Sequence, residues 1–368
     1  MSIVYKKLED VCEILDSRRV PITAKDRKAG AYPYYGANGL QDYVADYIFD
    51  DELVLLAEDG GNFGSKERPI AYRVSGKCWV NNHAHVLKAK PSIHVDYLCY
   101  ALMFYDTEGL VNGATRQKLT QAAMRQMVIP YRDMTEQLQI IEKISQIVRS
   151  IEKRKEELQL LDQLVKSRFI ELFGDYDLTH PQESWVTIKE IGTVVGGATP
   201  KTDHDEYWGG SYRWITPAEL DGDSGYIYDS ARKLTKAGVE SCSLQEMPVG
   251  TVILSSRAPI GKVAIAGNTF YCNQGFKNII CREGITPRYL YTVLLLNVEY
   301  LNSLGRGATF KEISKGIVES IRIPVPSMEL QQQFAAFVEQ TDKSKLAVQK
   351  GLQELEILKK SLMQQYFG

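Results

Sequence analysis

A duplicated segment dominates this sequence of 368 residues. Residues 113–174 align without a gap with residues 307–368, at a constant offset of 194 (307 − 113). Each copy opens with Gly-Ala-Thr, passes an Ile-Pro pair and closes on Phe-Gly. A period this long is not that of a solenoid, so it indicates that a globular domain followed by a long helix occurs twice in one chain. The chain is therefore predicted to be an internal pseudo-dimer.

The second part of each copy has the periodicity of a long helix. Asp133 and Glu136 have the spacing of a capping box, and Ser327 is a suitable N-cap for the second helix. Apolar residues follow at steps of three and four over roughly 38 residues, or about 57 Å. This narrow stripe is typical of a coiled-coil seam, which needs a partner helix. The predicted seam residues, with polar interruptions at Lys155 and Lys345, are Ile141, Ile144, Val148, Ile151, Lys155, Leu158, Leu161, Val165 and Leu172 in the first helix, and Phe334, Val338, Thr341, Lys345, Val348, Leu352, Leu355, Leu358, Leu362 and Tyr366 in the second.

The remaining segments favour strands, because short apolar runs alternate with Gly, Pro and Asn; one helix is expected at Val95–Tyr105. The predicted fold class is α+β: two mixed α/β domains with strand-rich cores, joined by two long antiparallel helices that form an intramolecular coiled coil with pseudo-two-fold symmetry. The expected boundaries are 1–134 and 175–326 for the globular domains, and 135–174 and 327–368 for the helices. Alternatively, each helix packs on its own domain as a scaffold, which the narrow seam disfavours.

Composition excludes several classes of protein. The formal net charge of −2 argues against a general positive field, so nucleic-acid contact would have to come from local patches. The six cysteines include no Cys-x-x-Cys pair, so we expect them to be reduced and mostly buried. No leader pattern is seen and no run approaches the roughly 20 apolar residues that span a bilayer, so a cytoplasmic protein is expected.

Catalytic motifs are missing from the sequence. It contains no Gly-x-Gly-x-x-Gly and no Asn/Asp-Pro-Pro-aromatic tetrad, which a DNA adenine methyltransferase would need. Gly261 and Lys262 do not form a P-loop, because Ser256 stands where the first glycine is required and Val263 follows the lysine. Cys78, His83 and His85 lack a fourth ligand for zinc. We therefore expect no catalytic residue, cofactor or metal on this chain.

The order of several motifs resembles that of the specificity subunits of type I restriction–modification systems, the HsdS family. The resemblance covers essentially the whole chain, although Glu136-Gln137 becomes Leu330-Gln331 in the second copy. In the second half it rests on Gly196–Lys201, Trp214–Leu220, Ser255–Gly261 and Cys272–Phe276, and in the first half on Arg18–Ile22, Tyr34–Gly39, Glu58–Gly60 and Trp79–His85.

The resemblance implies a non-catalytic subunit with two target-recognition domains that read a bipartite, asymmetric target in double-stranded DNA. It also implies docking of two methyltransferase subunits, which use S-adenosylmethionine, and of restriction subunits, which use ATP and Mg²⁺. Two other functions remain open: a coiled-coil scaffold that binds no DNA, and the DNA-recognition part of a fused restriction and methylation enzyme.

Candidate DNA-binding residues follow from side-chain chemistry. Asn and Gln can pair with adenine and Arg with guanine, whereas basic, hydroxyl and aromatic side chains suit the backbone. The alternative is that the Asn residues shape turns, that the histidines are structural and that the basic residues are solvated. The candidates are Arg18, Arg19, Arg27, Tyr34, Asn38, Asn62, Asn81, Asn82, His83, His85, Thr115, Arg116 and Lys118 in the first half, and Thr199, Lys201, Thr216, Ser256, Arg257, Asn273, Gln274, Lys277, Arg306, Thr309 and Lys311 in the second.

Overall fold

The computed structural model describes residues 4–113, 116–220, 225–257, 259–307 and 311–368. The chain divides into two compact units, unit 1 (Met1–Glu156 with Gln349–Gly368) and unit 2 (Glu157–Val348). Each unit contains one globular part together with portions of both long helices. Within the described ranges, no helix is long and apolar enough to cross a membrane.

Unit 1 is built on a six-stranded mixed sheet with the order β2-β7-β5-β6-β3-β4. Strand β5 lies inside this sheet, and its apolar run alternates between two cores: Val54 and Leu56 pack with helix α2 on one face, and Leu53 and Leu55 pack on the other. The strands are β1 (Val4–Lys7), β2 (Cys12–Ile14), β3 (Ala29–Gly36), β4 (Gly39–Val44), β5 (Phe49–Ala57), β6 (Ala71–Val80), β7 (Ala84–Ala89), β8 (Val111–Asn112), β9 (Lys118–Leu119) and β10 (Val128–Tyr131), and the helices are α1 (Leu8–Val11), α2 (Val95–Met103), α3 (Gln121–Gln126) and the first part of α4 (Met134–Phe173).

Unit 2 contains a five-stranded sheet, β12-β19-β16-β17-β14, and a three-stranded sheet, β15-β13-β18. Strand β16 alternates as β5 does, because Val252 and Leu254 face one core and Ile253 faces another. The strands are β11 (Val186–Thr187), β12 (Gly192–Val195), β13 (Trp208–Ile215), β14 (Tyr226–Ile227), β15 (Arg232–Leu234), β16 (Val252–Leu254), β17 (Val263–Ala266), β18 (Tyr271–Cys272), β19 (Asn278–Cys281) and β20 (Arg322–Ile323), and the helices are α5 (Ile188–Ile191), α6 (Lys236–Glu240), α7 (Pro287–Leu296), α8 (Val298–Ser303), α9 (Lys315–Ser320), the last part of α4 and the first part of α10 (Met328–Phe367), whose last part belongs to unit 1.

The long helices pack antiparallel within each unit. In unit 1 the start of α4 shares a core with the end of α10, through Ile144 and Met363. In unit 2 the end of α4 meets the start of α10, where the rings of Phe169 and Phe334 lie 5.4 Å apart. The prediction of strand-rich mixed domains with a long antiparallel helix pair is confirmed. Both helices begin and end within one residue of the expected ranges.

The predicted seam fits the middle of the helices better than their ends. Ile140, Phe169 and Met363 are buried although they lie outside the seam, and Leu358 lies in the seam although it is 46% exposed. The cause is that each helix end packs into the core of a globular part as well as against the other helix, which widens its apolar face. The start of each helix thus packs on its own domain, as in the scaffold alternative, but its end packs with the other unit and both ends also pack against the partner helix.

A buried glutamine anchors the start of each long helix in the same way. Oε1 of Gln137 accepts a hydrogen bond from the backbone N–H of His94 (2.7 Å), and Nε2 donates to the carbonyls of Ser92 (3.2 Å) and Arg132 (2.8 Å). Gln331 stands at the offset of 194, and its corresponding partners are the N–H of Thr286 (2.8 Å) and the carbonyls of Gly284 (3.0 Å) and Pro326 (2.9 Å). The repeat therefore preserves a buried polar link as well as the helix.

The structural likeness extends beyond the repeated sequence. The Tyr97 hydroxyl in α2 donates to the carbonyl of Pro130 (3.1 Å), and the Tyr289 hydroxyl in α7 donates to that of Pro324 (3.0 Å). The antiparallel pairs β1-β10 and β11-β20 also correspond. Each unit is thus a copy of one supporting framework.

All six cysteines are free thiols: Cys12, Cys78, Cys99 and Cys272 are buried, and Cys242 and Cys281 are partly buried. Burial raises the pKa of Cys12, Cys99 and Cys272 to about 12. These three thiols are accordingly unsuited to act as nucleophiles or metal ligands at neutral pH.

Candidate nucleic-acid interface

In unit 1 an Asn-Asn-His turn joins β6 to β7. The Asn81 side-chain oxygen accepts a hydrogen bond from the backbone N–H of His83 (2.8 Å), which forms an Asx turn. The Asn81 amide group donates to Oε1 of Gln41 (3.1 Å), so both ends of this buried side chain are occupied. Asn82 is exposed and His83 is half-buried. Asn81 therefore shapes the turn, while Asn82 and His83 are accessible to a ligand.

Unit 2 builds the same turn after β18. The Asn273 side-chain oxygen accepts from the N–H of Gly275 (2.9 Å), and the exposed Gln274 between them accepts from the hydroxyl of Thr199 (2.5 Å). Gly197 lets the segment that carries Thr199 come close, because a Cβ there would lie 2.4 Å from the carbonyl oxygen of Asn273. The two turns thus share a backbone design and present different side chains.

Arg116 stands beside the turn of unit 1. Its Nε lies 2.6 Å from Oδ1 of Asp59, and its Nη2 lies 3.4 Å from Nδ1 of His83. Gly113 shapes the approach to Arg116, because its φ of 103° suits glycine and a Cβ would lie 2.3 Å from the carbonyl oxygen of Arg116. A cavity of about 480 Å³ is lined by this arginine and by Ile22, Arg27, Tyr34, Gln41 and Asn82, among others.

The structure argues against His85 as a base-reading residue. His85 is fully buried, with Nδ1 2.6 Å from Oδ2 of Asp16 and Nε2 2.9 Å from the carbonyl oxygen of Leu119. Burial alone would raise the pKa of Asp16, but the hydrogen bond and charge of His85 and the backbone N–H of Val86 hold it below its usual value. His85 therefore supports the surface from beneath.

Arg19 and Tyr34 are also internal. The guanidinium of Arg19 donates to Oε2 of Glu58 (2.6 Å) and to the carbonyl of Ala84 (2.7 Å). The buried hydroxyl of Tyr34 donates to the carbonyl of Ile22 (3.2 Å). Neither side chain is free to contact a backbone phosphate, because each one already stabilises the fold.

The other candidates of unit 1 lie nearer the surface, and most have a protein partner. Arg18 donates to the carbonyl of Ile48, Arg27 pairs with Asp42, Asn38 donates to the carbonyl of Gly60, Asn62 donates to the carbonyl of Pro69, and Lys118 pairs with Glu58. These contacts are compatible with an interface role where the side chain stays exposed, as for Asn38 and Lys118.

In unit 2 the structure argues against Ser256 and Lys277. Ser256 is fully buried, and Nζ of Lys277 reaches its hydroxyl (3.3 Å) and Oε1 of Glu312 (3.2 Å). Thr216 is held in a capping box with Glu219, which occupies its hydroxyl. The accessible candidates of unit 2 are Thr199, Lys201, Gln274, Arg306 and Lys311, with Arg257 half-buried. Thr115 and Thr309 lie outside the described residues.

Sequence reasoning missed several residues that hold candidate side chains, among them Gln41, Asp59 and Glu312. Each of them holds a candidate side chain, namely Asn81, Arg116 and Lys277 in that order. The offset of 194 aligns Lys118 with Glu312. This change of charge was a signal in the sequence that could have identified Glu312. Nothing in the sequence singles out Gln41.

Comparison with known proteins identifies the family of this framework. The family described as "Type I restriction modification DNA specificity domain" matches residues 3–161 and 183–357. The chain belongs to this family. The resemblance noted from the motifs is confirmed, and the family consists of specificity subunits, as expected for a chain without catalytic motifs.

Named relatives agree with this assignment. The type I restriction enzyme MjaIX specificity subunit of Methanocaldococcus jannaschii is 42% identical over 185 residues, which are 49% of this chain and 43% of that protein. The chain thus matches less than half the length of this relative. The EcoR124I/EcoR124II specificity subunit of Escherichia coli is 25% identical over 326 residues, or 85% of this chain and 76% of that protein.

A crystal structure of a type I restriction–modification S subunit from M. genitalium has the same fold, with a TM-score of 0.60 at 15% identity. The match covers 100% of this chain and 96% of that one. A structure described under complex assembly and conformational transition of the type I R-M system matches with a TM-score of 0.57 at 15% identity, over 100% of this chain and 99% of that one. At these identities the likeness establishes the fold only.

Proposed function

We propose that this chain is the DNA-specificity subunit of a type I restriction–modification complex. The observation that carries the proposal is that both units repeat one buried framework and one Asx turn, yet present unlike exposed side chains on the turn. In unit 1 the exposed residue is Asn82, next to the half-buried His83, and in unit 2 it is Gln274. Amide side chains of this kind can pair with adenine in the major groove. Each unit would read one part of a bipartite, asymmetric target in double-stranded DNA.

The long helices would set the spacing between the two parts of the target. Each helix has 40 residues, which corresponds to about 60 Å at 1.5 Å per residue. Two half-sites one duplex turn apart are roughly 34–36 Å from centre to centre, so a helix pair of this length suffices. The repeated helices would also let two methyltransferase subunits dock in equivalent ways.

The chain itself would perform no chemistry. Methyl transfer to adenine from S-adenosylmethionine would belong to the methyltransferase subunits, and ATP-dependent cleavage to restriction subunits, in the cytoplasm. We keep Arg18, Arg27, Asn38, Asn62, Asn82, His83, Arg116 and Lys118 in unit 1, and Thr199, Lys201, Gln274, Arg257, Arg306 and Lys311 in unit 2, as proposed interface residues. Asn81 and Asn273 are proposed to position their neighbours.

Mapping of N6-methyladenine tests the proposal. The chain is co-expressed with its methyltransferase subunit in a host without this modification, with the methyltransferase subunit alone as the control. Methylation confined to one bipartite motif, and dependent on this chain, is the expected result. A scaffold that binds no DNA predicts no such motif and no shift of random duplex by the assembled complex. Methyl transfer by the purified chain alone would instead favour a fused enzyme.

A further inference from the structure

The two units place an arginine at the same site but supply it from different segments. The correspondence is fixed by backbone hydrogen bonds. The N–H of Glu58 bonds the carbonyl of His83 (2.9 Å), as that of Ser256 bonds the carbonyl of Gly275 (2.8 Å). The carbonyl of Glu58 accepts from Leu119 (2.8 Å), and that of Ser256 accepts from Ile313 (2.9 Å), which stands 194 residues (313 − 119) further along.

Asp59 of unit 1 therefore corresponds to Arg257 of unit 2. Isolated backbone bridges agree, since Asp59 pairs with Lys118 and Arg257 with Glu312. The position of Arg116, shifted by 194, falls on Phe310 in the sequence. Unit 1 thus has an acid where unit 2 has an arginine, and it takes its own arginine from the repeated segment instead.

The geometry of Arg116 suits a neutral ligand with two acceptors. Asp59 holds Nε at 2.6 Å and His83 lies 3.4 Å from Nη2, which orients the guanidinium plane. No hydrogen bond of Nη1 is found to any residue that the structure describes, and the side chain is 59% exposed. The outer Nη1–Nη2 edge can therefore donate two parallel hydrogen bonds. A carboxylate so close disfavours a phosphate, because like charges repel, whereas the O6 and N7 acceptors of guanine carry no formal charge.

Arg257 occupies the equivalent place against the turn of unit 2. Its Nε lies 3.4 Å from the point that a Cβ on Gly275 would occupy, so the guanidinium lies directly against the turn. Among the described residues, no side-chain hydrogen bond or ion pair of Arg257 is found. With respect to the described part of the chain, the guanidinium is open to a ligand next to Gln274, the exposed residue of the same turn.

We propose that Arg116 and Arg257 are specificity-determining residues that each read one guanine, in different parts of the bipartite target, and that Asp59 is a positioning residue for Arg116. This inference rests on the proposed function. It adds that each part of the bipartite DNA target contains a guanine, and that one unit reads each part.

The test uses the full chain assembled with its methyltransferase subunits, and the readout is the set of methylated sites in a genome. Arg116→Ala should lower discrimination by roughly five- to 150-fold at one guanine of one half-site, which is the range for a lost bidentate contact. Arg257→Ala should do the same in the other half-site only, so each variant serves as a control for the other. Arg125→Gln removes a partly exposed arginine from α3, where it pairs with Glu9, and should leave the motif unchanged.

Substitution by lysine guards against misfolding, because it keeps the charge and the long stem while losing the paired donors. Arg116→Lys and Arg257→Lys should therefore relax the same positions as the alanine variants. Asp59→Asn should relax the Arg116 position and leave the Arg257 position intact, which a general loss of stability would not do.

Three outcomes would overturn the inference. In the first, the motif keeps its full stringency in the alanine variants. In the second, methylation falls equally at all sites while the dependence of DNA affinity on salt becomes shallower, which identifies phosphate contacts. In the third, the relaxed position is not a guanine. If the unaltered complex methylates no bipartite motif at all, the proposed function itself fails, and this inference fails with it.

Discussion

Replacement of Gln137 by alanine should loosen unit 1 without changing its exposed surface. The side chain is fully buried and makes three hydrogen bonds, and a typical bond contributes about 1 kcal/mol net, so the loss amounts to roughly 3 kcal/mol. The backbone N–H of His94 also loses its acceptor, which makes this a lower bound. The same argument applies to Gln331 and the N–H of Thr286 in unit 2.

Hydrogen exchange measured by mass spectrometry on short peptides can test this predicted loss of stability in unit 1. A loss of roughly 3 kcal/mol in the opening free energy corresponds to exchange about a hundredfold faster at His94 and along α2. The matched controls are Gln139→Ala and Gln333→Ala, because these glutamines are also repeated at the offset of 194 but are exposed. The reasoning is refuted if Gln137→Ala speeds exchange less than about fivefold, or no more than the Gln139 control.

Three further predictions concern buried charges and a buried thiol. The folded-state pKa of Asp16 lies below its usual value, so its contribution to stability is present above about pH 4 and lost as the pH falls through the folded pKa; denaturant titrations should show a shallower acid dependence for Asp16→Asn. Arg288→Ala should destabilise unit 2 by roughly 1.5–3 kcal/mol in thermal unfolding, because the partly buried Asp342, 2.8 Å away, loses a charged hydrogen-bond donor. Lys343→Ala, at an exposed ion pair, should leave the melting temperature almost unchanged. A thiol reagent should modify Cys272 only after denaturation, since burial raises its pKa to about 12.

The fold was largely predictable because its strongest determinants are local. Apolar residues at helical spacing and the repeated start signals located α4 and α10 to within one residue. The sequence could not show that Phe169 and Met363 are buried, because their environment is formed by residues distant in the sequence. Sheet order was unpredictable for the same reason, since parallel pairs such as β3 with β6 join segments that are far apart along the chain.

The turns that carry the candidate residues were predictable from the sequence, but the contacts of their side chains were not. The motif Asn81-Asn82-His83 marked the turn, yet the sequence does not distinguish the buried asparagine from the exposed one. That difference arises because the amide of Asn81 meets Gln41, a residue 40 positions away. His85 looked like a ligand from its residue type, but its neighbour Asp16 makes it structural. Residue type identifies chemistry, whereas burial decides whether that chemistry is available.

Ion pairs at the two surfaces show what the duplication has preserved. In unit 1, Glu58 follows strand β5 and pairs with Lys118 of the repeated segment at 3.1 Å. In unit 2, Glu312 takes the position of Lys118 and pairs with Lys277 at 3.2 Å. The signs are reversed, but each unit still links its sheet to the repeated segment. The position of Lys118 therefore keeps an ion-pair partner in both units, although the sign of its charge changes. Charge also changes sign between Asp59 of unit 1 and Arg257 of unit 2. These two residues follow the corresponding residues Glu58 and Ser256, at the edge of the surface. The framework thus keeps the geometry of the Asx turn constant, while the charged residues next to the turn differ between the two units.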